Sequence, residues 1–488
     1  MSRLRNRLFA LASQCGASVF ALVAACTGTG TGNDPALMDM TMGNSNPAPT
    51  VTAVSPPSGV NNTTTALTIT GTAFRSGATV TVGGQPCTSA QVVSPTSITC
   101  TAPGMAGSCG FADIVVKHPD DGQSGTGSKL FAYVSSGVGW AAPVDYPVGN
   151  YPRRVVAVDL NGDGKIDLAS ANQLGNSVTV RLGAGDGTFP MPQSSTLTLG
   201  GASSPSDLLA ADLNGDGKMD LATANSGGGG SITVLLNTGS GFAPTMISTS
   251  SGGFSSGGAI AAGDLNGDTK IDLVVASSSS SSVLSMLGDG AGSFAPGLVR
   301  TVGGLTSEVA LADMNTDGKL DLVTANFSTN NVSVCLGNGN GQFGLPLNRD
   351  ASTRPYGLFV TDLNGDKKLD VITGNNVGNN VSLLLGENTG MLAASVNISL
   401  GSSSPEAVWV ADFGGDGKAD IISANAQSNN WSYLQGMSPT QYANPVTTSA
   451  GTTPAGITSA DVNGDGMPDV IVASAGTNNL QVTLQTCK

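Results

Sequence analysis

Seven times between Asp159 and Asp469 the chain repeats a version of D-x-N-x-D-G-x-x-D, with copies beginning at Asp159, Asp212, Asp264, Asp313, Asp362, Asp412 and Asp461. The starts are 53, 52, 49, 49, 50 and 49 residues apart, a period that suits one four-stranded β-sheet per repeat. Any fold for this chain must therefore place seven equivalent units. Alternate residues of a tight loop can turn several oxygens inward at once. Three carboxylates and one amide per loop suit a hard cation that takes about six to eight oxygen ligands. Calcium is the expected occupant, up to seven ions, one per repeat.

With the first aspartate as position 1, side-chain oxygens come from positions 1, 3, 5 and 9, and position 7 offers its backbone carbonyl. The first copy would use Asp159, Asn161, Asp163, Lys165 and Asp167, and the second Asp212, Asn214, Asp216, Lys218 and Asp220. The third would use Asp264, Asn266, Asp268, Lys270 and Asp272, and the fourth Asp313, Asn315, Asp317, Lys319 and Asp321. Asp362, Asn364, Asp366, Lys368 and Asp370 follow in the fifth, and Asp461, Asn463, Asp465, Met467 and Asp469 in the seventh. The sixth keeps Asp412, Asp416, Lys418 and Asp420 but has Gly414 in place of the asparagine, so it is expected to bind most weakly. Position 6, usually glycine, is Thr269 in the third copy and Lys367 in the fifth; a positive φ there would cost on the order of 1 kcal/mol. An EF-hand needs an acidic residue at position 12 and flanking helices. Position 12 here is Ser170, Thr223, Val275, Thr324, Thr373, Ser423 and Val472, and the flanks read as strands, so the EF-hand and dockerin readings both fail.

The loops hold 21 of the 34 acidic residues, which would repel one another with no cation present. Loss of Arg3, Arg5 and Arg7 with a leader takes the formal charge from -14 to -17, and seven divalent ions would raise it to -3. The acidity is thus metal-site charge and gives no reason to expect a basic partner; nucleic acid is not among the expected partners. With 39% hydrophobic residues, 11% charged residues and 68 glycines, the composition fits short strands and many turns, an all-β chain.

Arg3, Arg5 and Arg7 precede a largely apolar stretch from Leu8 to Ala25 that ends Val23-Ala24-Ala25-Cys26. Residues 1–25 resemble a bacterial lipoprotein signal, and the resemblance implies that Cys26 is lipidated and anchors the protein to a membrane. An ordinary secretory signal shares the basic start, apolar core and small residues at the cut. Either way the chain is expected outside the cytoplasm, in the cell envelope, at the outer membrane or cell surface or facing the periplasm. Ser13 and Gln14 interrupt the stretch and argue against a spanning helix. Beyond Cys15 and Cys26, five cysteines remain, so at least one lacks an intrachain partner; Cys87 and Cys100 are the best disulfide candidates, and Cys335 reads as a buried free thiol.

Residues 26–48 lack apolar periodicity and read as a flexible tether. Residues 49–136 alternate β-rich runs with turns, and VTAVSPPSG, LTITGTAFRSGATVTVGGQPC and SPTSITCTAPG resemble the IPT/TIG family, an immunoglobulin-like sandwich. Residues 140–488 hold the repeats. DLNGDGKxDL followed by a VLLGxGxGxF-type turn resembles the FG-GAP and VCBS family, whose relatives include the propeller at the head of integrin α chains. The implied fold is a seven-bladed β-propeller preceded by an IPT/TIG domain. The last repeat ends at its third strand, whereas Trp140 to Val148 aligns with the fourth strands of the others, so the N-terminal segment is expected to close the ring.

Catalysis has little support: the single histidine, His118, lies in the first domain and reads as a satisfied surface residue, and no nucleophile elbow or phosphate loop appears. The expected function is a calcium-binding adhesion or binding module for an extracellular protein or glycan. A polysaccharide lyase or glycosidase, or a structural part of a surface assembly, is the alternative. By the family topology the ligand face lies opposite the metal loops. It would carry Asn172 to Asn176, Asn326 to Asn331, Asn375 to Asn380 and Asn425 to Asn430, with Tyr151, Arg153, Arg154, Arg354, Tyr356 and Trp431 nearby.

Overall fold

The computed structural model describes residues 47–487 apart from 106–108, 135–136, 192–193, 202, 228 and 250–255. The leader, Cys26 and nearly all of the tether lie outside the described residues. Every regular element among the described residues is a strand, and no helix is long and apolar enough to cross a membrane.

The first domain is built by period-two alternation. In Thr65–Thr72, Leu67, Ile69 and Gly71 turn inward, and in Ser97–Ala102, Ile98, Cys100 and Ala102 do so. Four strands pair in the order Thr50–Ser55, Thr65–Thr72, Ser97–Ala102, Thr88–Ser94. Five more, Ser58–Val60, Ser124–Val134, Gly110–Lys117, Thr79–Val82 and Gln85–Pro86, form the facing sheet. Ile69, Ile98, Ile114, Val116 and Phe131 are fully buried between them, and Cys87 is disulfide-bonded to Cys100. Ser124–Val134 carries Gly125 where a Cβ would meet the carbonyl oxygen of Pro49 at 1.9 Å. A residue type that reads as a turn here permits close approach of two backbones.

The repeats form seven four-stranded antiparallel sheets. In the first, Pro152–Val158, Asp167–Asn172, Ser177–Arg181 and Ser194–Thr198 pair in chain order. Each innermost strand packs beside that of the next sheet, and Pro454–Ala460 packs beside Pro152–Val158, so the sheets make a closed ring. All seven second strands, such as Asp321–Asn326 and Asp420–Asn425, are buried at every position because neighbouring sheets cover both faces. Their side chains therefore run Leu-Val-Thr-Ala or Ile-Ile-Ser-Ala rather than alternating with charge.

Closure follows the sequence expectation. Val144–Pro147 pairs with Asn479–Thr483 as the outer strand of the last sheet, and Gln481 Nε2 donates to Asp145 Oδ1 at 3.1 Å. A second pairing, Val138–Trp140 with Gln485–Cys487, extends it. Trp140 packs edge-on against Trp431, with centroids 4.8 Å apart, and against Tyr433 at 5.6 Å.

Every innermost strand begins with a register shift, between Pro152 and Arg154, Pro205 and Asp207, Gly257 and Ala259, Thr306 and Glu308, Pro355 and Gly357, Pro405 and Ala407, and Pro454 and Gly456. Such bulges re-aim side chains. Here they bring Arg153, Ser206, Ser307 and Tyr356 to the mouth of a central channel and Arg154, Asp207 and Glu308 just inside it.

Candidate metal centres and the channel mouth

Each aspartate loop joins a first strand to a second, and its carboxylates organise its own backbone. In the first loop Asp159 accepts hydrogen bonds from the amides of Gly162 at 2.7 Å and Gly164 at 2.7 Å, Asn161 Oδ1 accepts from Asp163, and Asp163 Oδ1 accepts from Lys165. These bonds fold the turn around the Asp159 carboxylate. Thr269 and Lys367 both sit at φ +68°, as expected, and Thr316, where the other loops have glycine at position 4, sits at +59°. A threonine held there costs on the order of 1 kcal/mol, so the tight turn is kept despite strain.

Position 9 has a structural role that the sequence did not disclose. Asp321 is fully buried; its Oδ2 accepts from Met314 N at 2.9 Å and its Oδ1 from Gly337 N at 2.7 Å. The same pair of bonds recurs at Asp167, Asp220, Asp272, Asp370, Asp420 and Asp469, tying the loop to the end of the third strand. Burial raises the pKa of all seven carboxyls against these amides, to about 6 at Asp420 and about 7 at Asp469, and the other aspartates of the loop raise it further. A cation among the three carboxylates would remove that last contribution.

Six loops hold a partial counter-charge. The position-7 lysines Lys165, Lys218, Lys270, Lys319, Lys368 and Lys418 place Nζ within 2.9 to 3.9 Å of the position-5 carboxylate. These pairs are exposed and weak, and each matches one ammonium to a loop of three carboxylates. The seventh loop keeps all three aspartates with Met467 in the lysine's place. The donor set of hard oxygens fits calcium in each loop, with the position-7 carbonyl as a further donor.

The sixth loop differs twice. Gly414 supplies no side-chain oxygen, and Asp420 Oδ2 accepts from Phe413 N, Gly414 N and the Tyr433 hydroxyl at 3.0, 3.1 and 3.1 Å. Its lone pairs are committed, which adds a second reason for weak metal binding. The IPT/TIG-like domain lies against this loop and the next. A Cβ on Gly110 would meet Asp465 O at 2.5 Å, and one on Gly466 would meet the Phe111 ring at 3.1 Å. A cavity of about 300 Å³ remains there between Tyr133, Val134, Asp412, Gly414 and Met467.

The opposite face corrects part of the sequence reading. Asn172, Asn326, Asn375 and Asn425 are fully buried and cannot meet a ligand. Asn326 Nδ2 donates to Ser333 Oγ at 2.7 Å, and its Oδ1 accepts from Thr324 at 3.0 Å. The turn asparagines act differently: Asn176, Asn330, Asn379, Asn429 and Asn478 have positive φ, and their Oδ1 atoms accept from the amides of Ser204, Arg354, Ser404, Thr453 and Tyr151. Each pins one sheet to the next, and Asn478 to Tyr151 joins the last to the first. Trp431 is also fully buried, against Trp140. His118 is buried rather than on the surface, and among the described residues neither ring nitrogen has a hydrogen-bond partner; Asp121 lies 3.9 Å from its Nδ1, and Asp120 and Asp121 pair with Arg75.

Arg153, Arg154, Arg354 and Tyr356 do come together, lining a cavity of about 240 Å³ at the channel mouth. Arg154 bonds to Asp207 at 3.1 Å and the Ala455 carbonyl on the neighbouring sheets, and reaches across the channel to Glu308. Burial disfavours its charge, but Glu308 and Asp207 outweigh this and hold its pKa above the usual range; burial pushes Glu308 up against the pull of Arg154. Arg153 donates to the Tyr356 hydroxyl at 2.9 Å and lies 3.6 Å from Glu406. These partners are up to 301 residues apart in sequence, so the cluster has no local motif.

A closed ring of four-stranded sheets, with an aspartate loop leading into each second strand, defines a repeat-built β-propeller. The chain belongs to the FG-GAP-like repeat family, which it matches over residues 159–223, 212–275, 264–324, 313–373, 362–423 and 412–472; residues 49–133 match the IPT/TIG domain. No curated protein matches the sequence. Among solved structures, BBS1N in complex with ARL6DN is 13% identical with a TM-score of 0.50, covering 71% of this chain and 96% of that one. An auxiliary nutrient binding protein from Bacteroides ovatus is 13% identical with a TM-score of 0.43, over 90% of this chain and 98% of that one. A functionally unknown protein from Desulfotomaculum acetoxidans is 11% identical with a TM-score of 0.45, over 69% and 96%. At 13% identity the likeness to BBS1N speaks only for fold.

Proposed function

We propose that this is an exported, lipid-anchored binding protein whose propeller is stiffened by calcium and whose ligand face surrounds the channel mouth. The observation that carries the calcium reading is the seventh loop. It keeps Asp461, Asp465 and Asp469 with Met467 where the other six loops have lysine, and the Asp469 carboxyl is buried. Side chains at positions 1, 3, 5 and 9 and the carbonyl at position 7 would hold the ion, which would supply the charge that lets three carboxylates share one turn. The protein's own hydrogen bonds preset the turn, so binding would lock the junction of first, second and third strands in each sheet. The opposite face is free of this task and carries the open, arginine-lined cavity.

Glycan and matrix-protein arrays, run beside a polysaccharide lyase and glycosidase panel, test the binding reading. Binding that chelation abolishes, without turnover, is expected; turnover of a polysaccharide would overturn it. Cys26→Ser is expected to release the protein from membranes, and persistent membrane association would count against the anchor.

A further inference from the structure

We propose that the channel mouth binds a carboxylate-bearing sugar ring, with Arg354 as the residue that selects the charge. This rests on the binding-platform reading and names its ligand class. Among the described residues, the ion pairs of the mouth are Arg153 with Glu406, Arg154 with Asp207 and Arg154 with Glu308, and none uses Arg354. The Arg354 guanidinium instead lies 5.6 Å over the Phe327 ring, its edge donors unspent on any carboxylate. Phe327 is tilted against Tyr356, with centroids 6.3 Å apart, and Arg153 lies 5.9 Å over Tyr356. Two guanidiniums, Arg153 from the first sheet and Arg354 from the edge of the fifth, thus bracket two aromatic rings.

Two serines of the mouth have the opposite hydrogen-bonding sense. Ser206 Oγ bonds to the carbonyls of Ala224 and Gly257, and Ser307 Oγ to those of Ala325 and Pro355. Their protons are committed, so they present oxygen lone pairs that accept from ligand hydroxyls. Forked donors for a carboxylate, acceptors for hydroxyls and ring faces for the C–H side of a pyranose together describe one sugar acid. The cavity, about 240 Å³, is just under the ~300 Å³ at which drug-sized pockets begin, which suits one ring.

Titration calorimetry in calcium buffer with glucuronate and galacturonate, against glucose, galactose and acetate, tests this. At least one uronate is expected to bind, with no heat from the neutral hexoses and weaker binding of acetate. Arg354→Gln is expected to weaken uronate binding by roughly tenfold or more with unchanged melting, because Arg354 is exposed. Tyr356→Ala is expected to lower affinity for the uronate more than for acetate. Hexose binding equal to uronate binding, acetate equal to uronate, or indifference to Arg354→Gln would overturn the proposal. If no uronate binds at millimolar concentration while the arrays still yield a ligand, the sugar-acid assignment fails and the platform reading stands. If the arrays are also blank, both fail.

Discussion

Melted in excess chelator, the mature protein is expected to unfold on the order of 10 °C or more below its melting temperature in millimolar calcium, and added calcium should restore it. Each site filled at a hundred times its dissociation constant contributes about 2.7 kcal/mol, and several such sites act on one ring. The effect should be large because the loops are structural junctions. Each position-9 carboxylate bonds the loop on one side and the third strand on the other. Magnesium should restore less, since it prefers a strict octahedron and keeps its waters. An identical melting curve in chelator and calcium would defeat the assignment.

The second large effect separates the two roles inside a loop. Asp321→Ala removes the acceptor for Met314 N and Gly337 N together, in a site with no water access, and two buried amides left unpaired cost roughly 3 kcal/mol or more. That loss should appear in chelator as well as in calcium. Asp317→Ala, at position 5, removes an exposed carboxylate and its weak pair with Lys319, so it should cost little in chelator and show its loss only when calcium is present. Denaturant unfolding of both variants, with and without calcium, reads this difference. Equal behaviour of the two would mean that position 9 acts only as a ligand.

The loops made the sheet count legible because each marks a junction of fixed geometry, and the missing fourth strand after Thr483 pointed to Val144–Pro147. The strained turns at Thr269 and Lys367 were legible for the same reason. Ser124–Val134 was not, because Gly125 and Gly127 signal a turn unless one knows which backbone passes close by. The asparagine-rich turns looked like a ligand surface because Asn suits both exposed turns and buried networks; Asn326 fills its donors and acceptors inside its own sheet. The charged cluster in the channel was illegible in a different way. Arg154, Asp207 and Glu308 are equivalent in position but unlike in chemistry, and they meet only when the ring closes.

Calcium as the internal support of the propeller is the central claim, and counting the ions tests it most directly. Elemental analysis of the protein after equilibrium dialysis against calcium should give six to seven ions per chain, with Gly414→Asn strengthening the weakest site; a Cβ at Gly414 meets nothing nearer than 3.8 Å, so the side chain fits. A chain that retains no calcium, while remaining folded, would contradict the account.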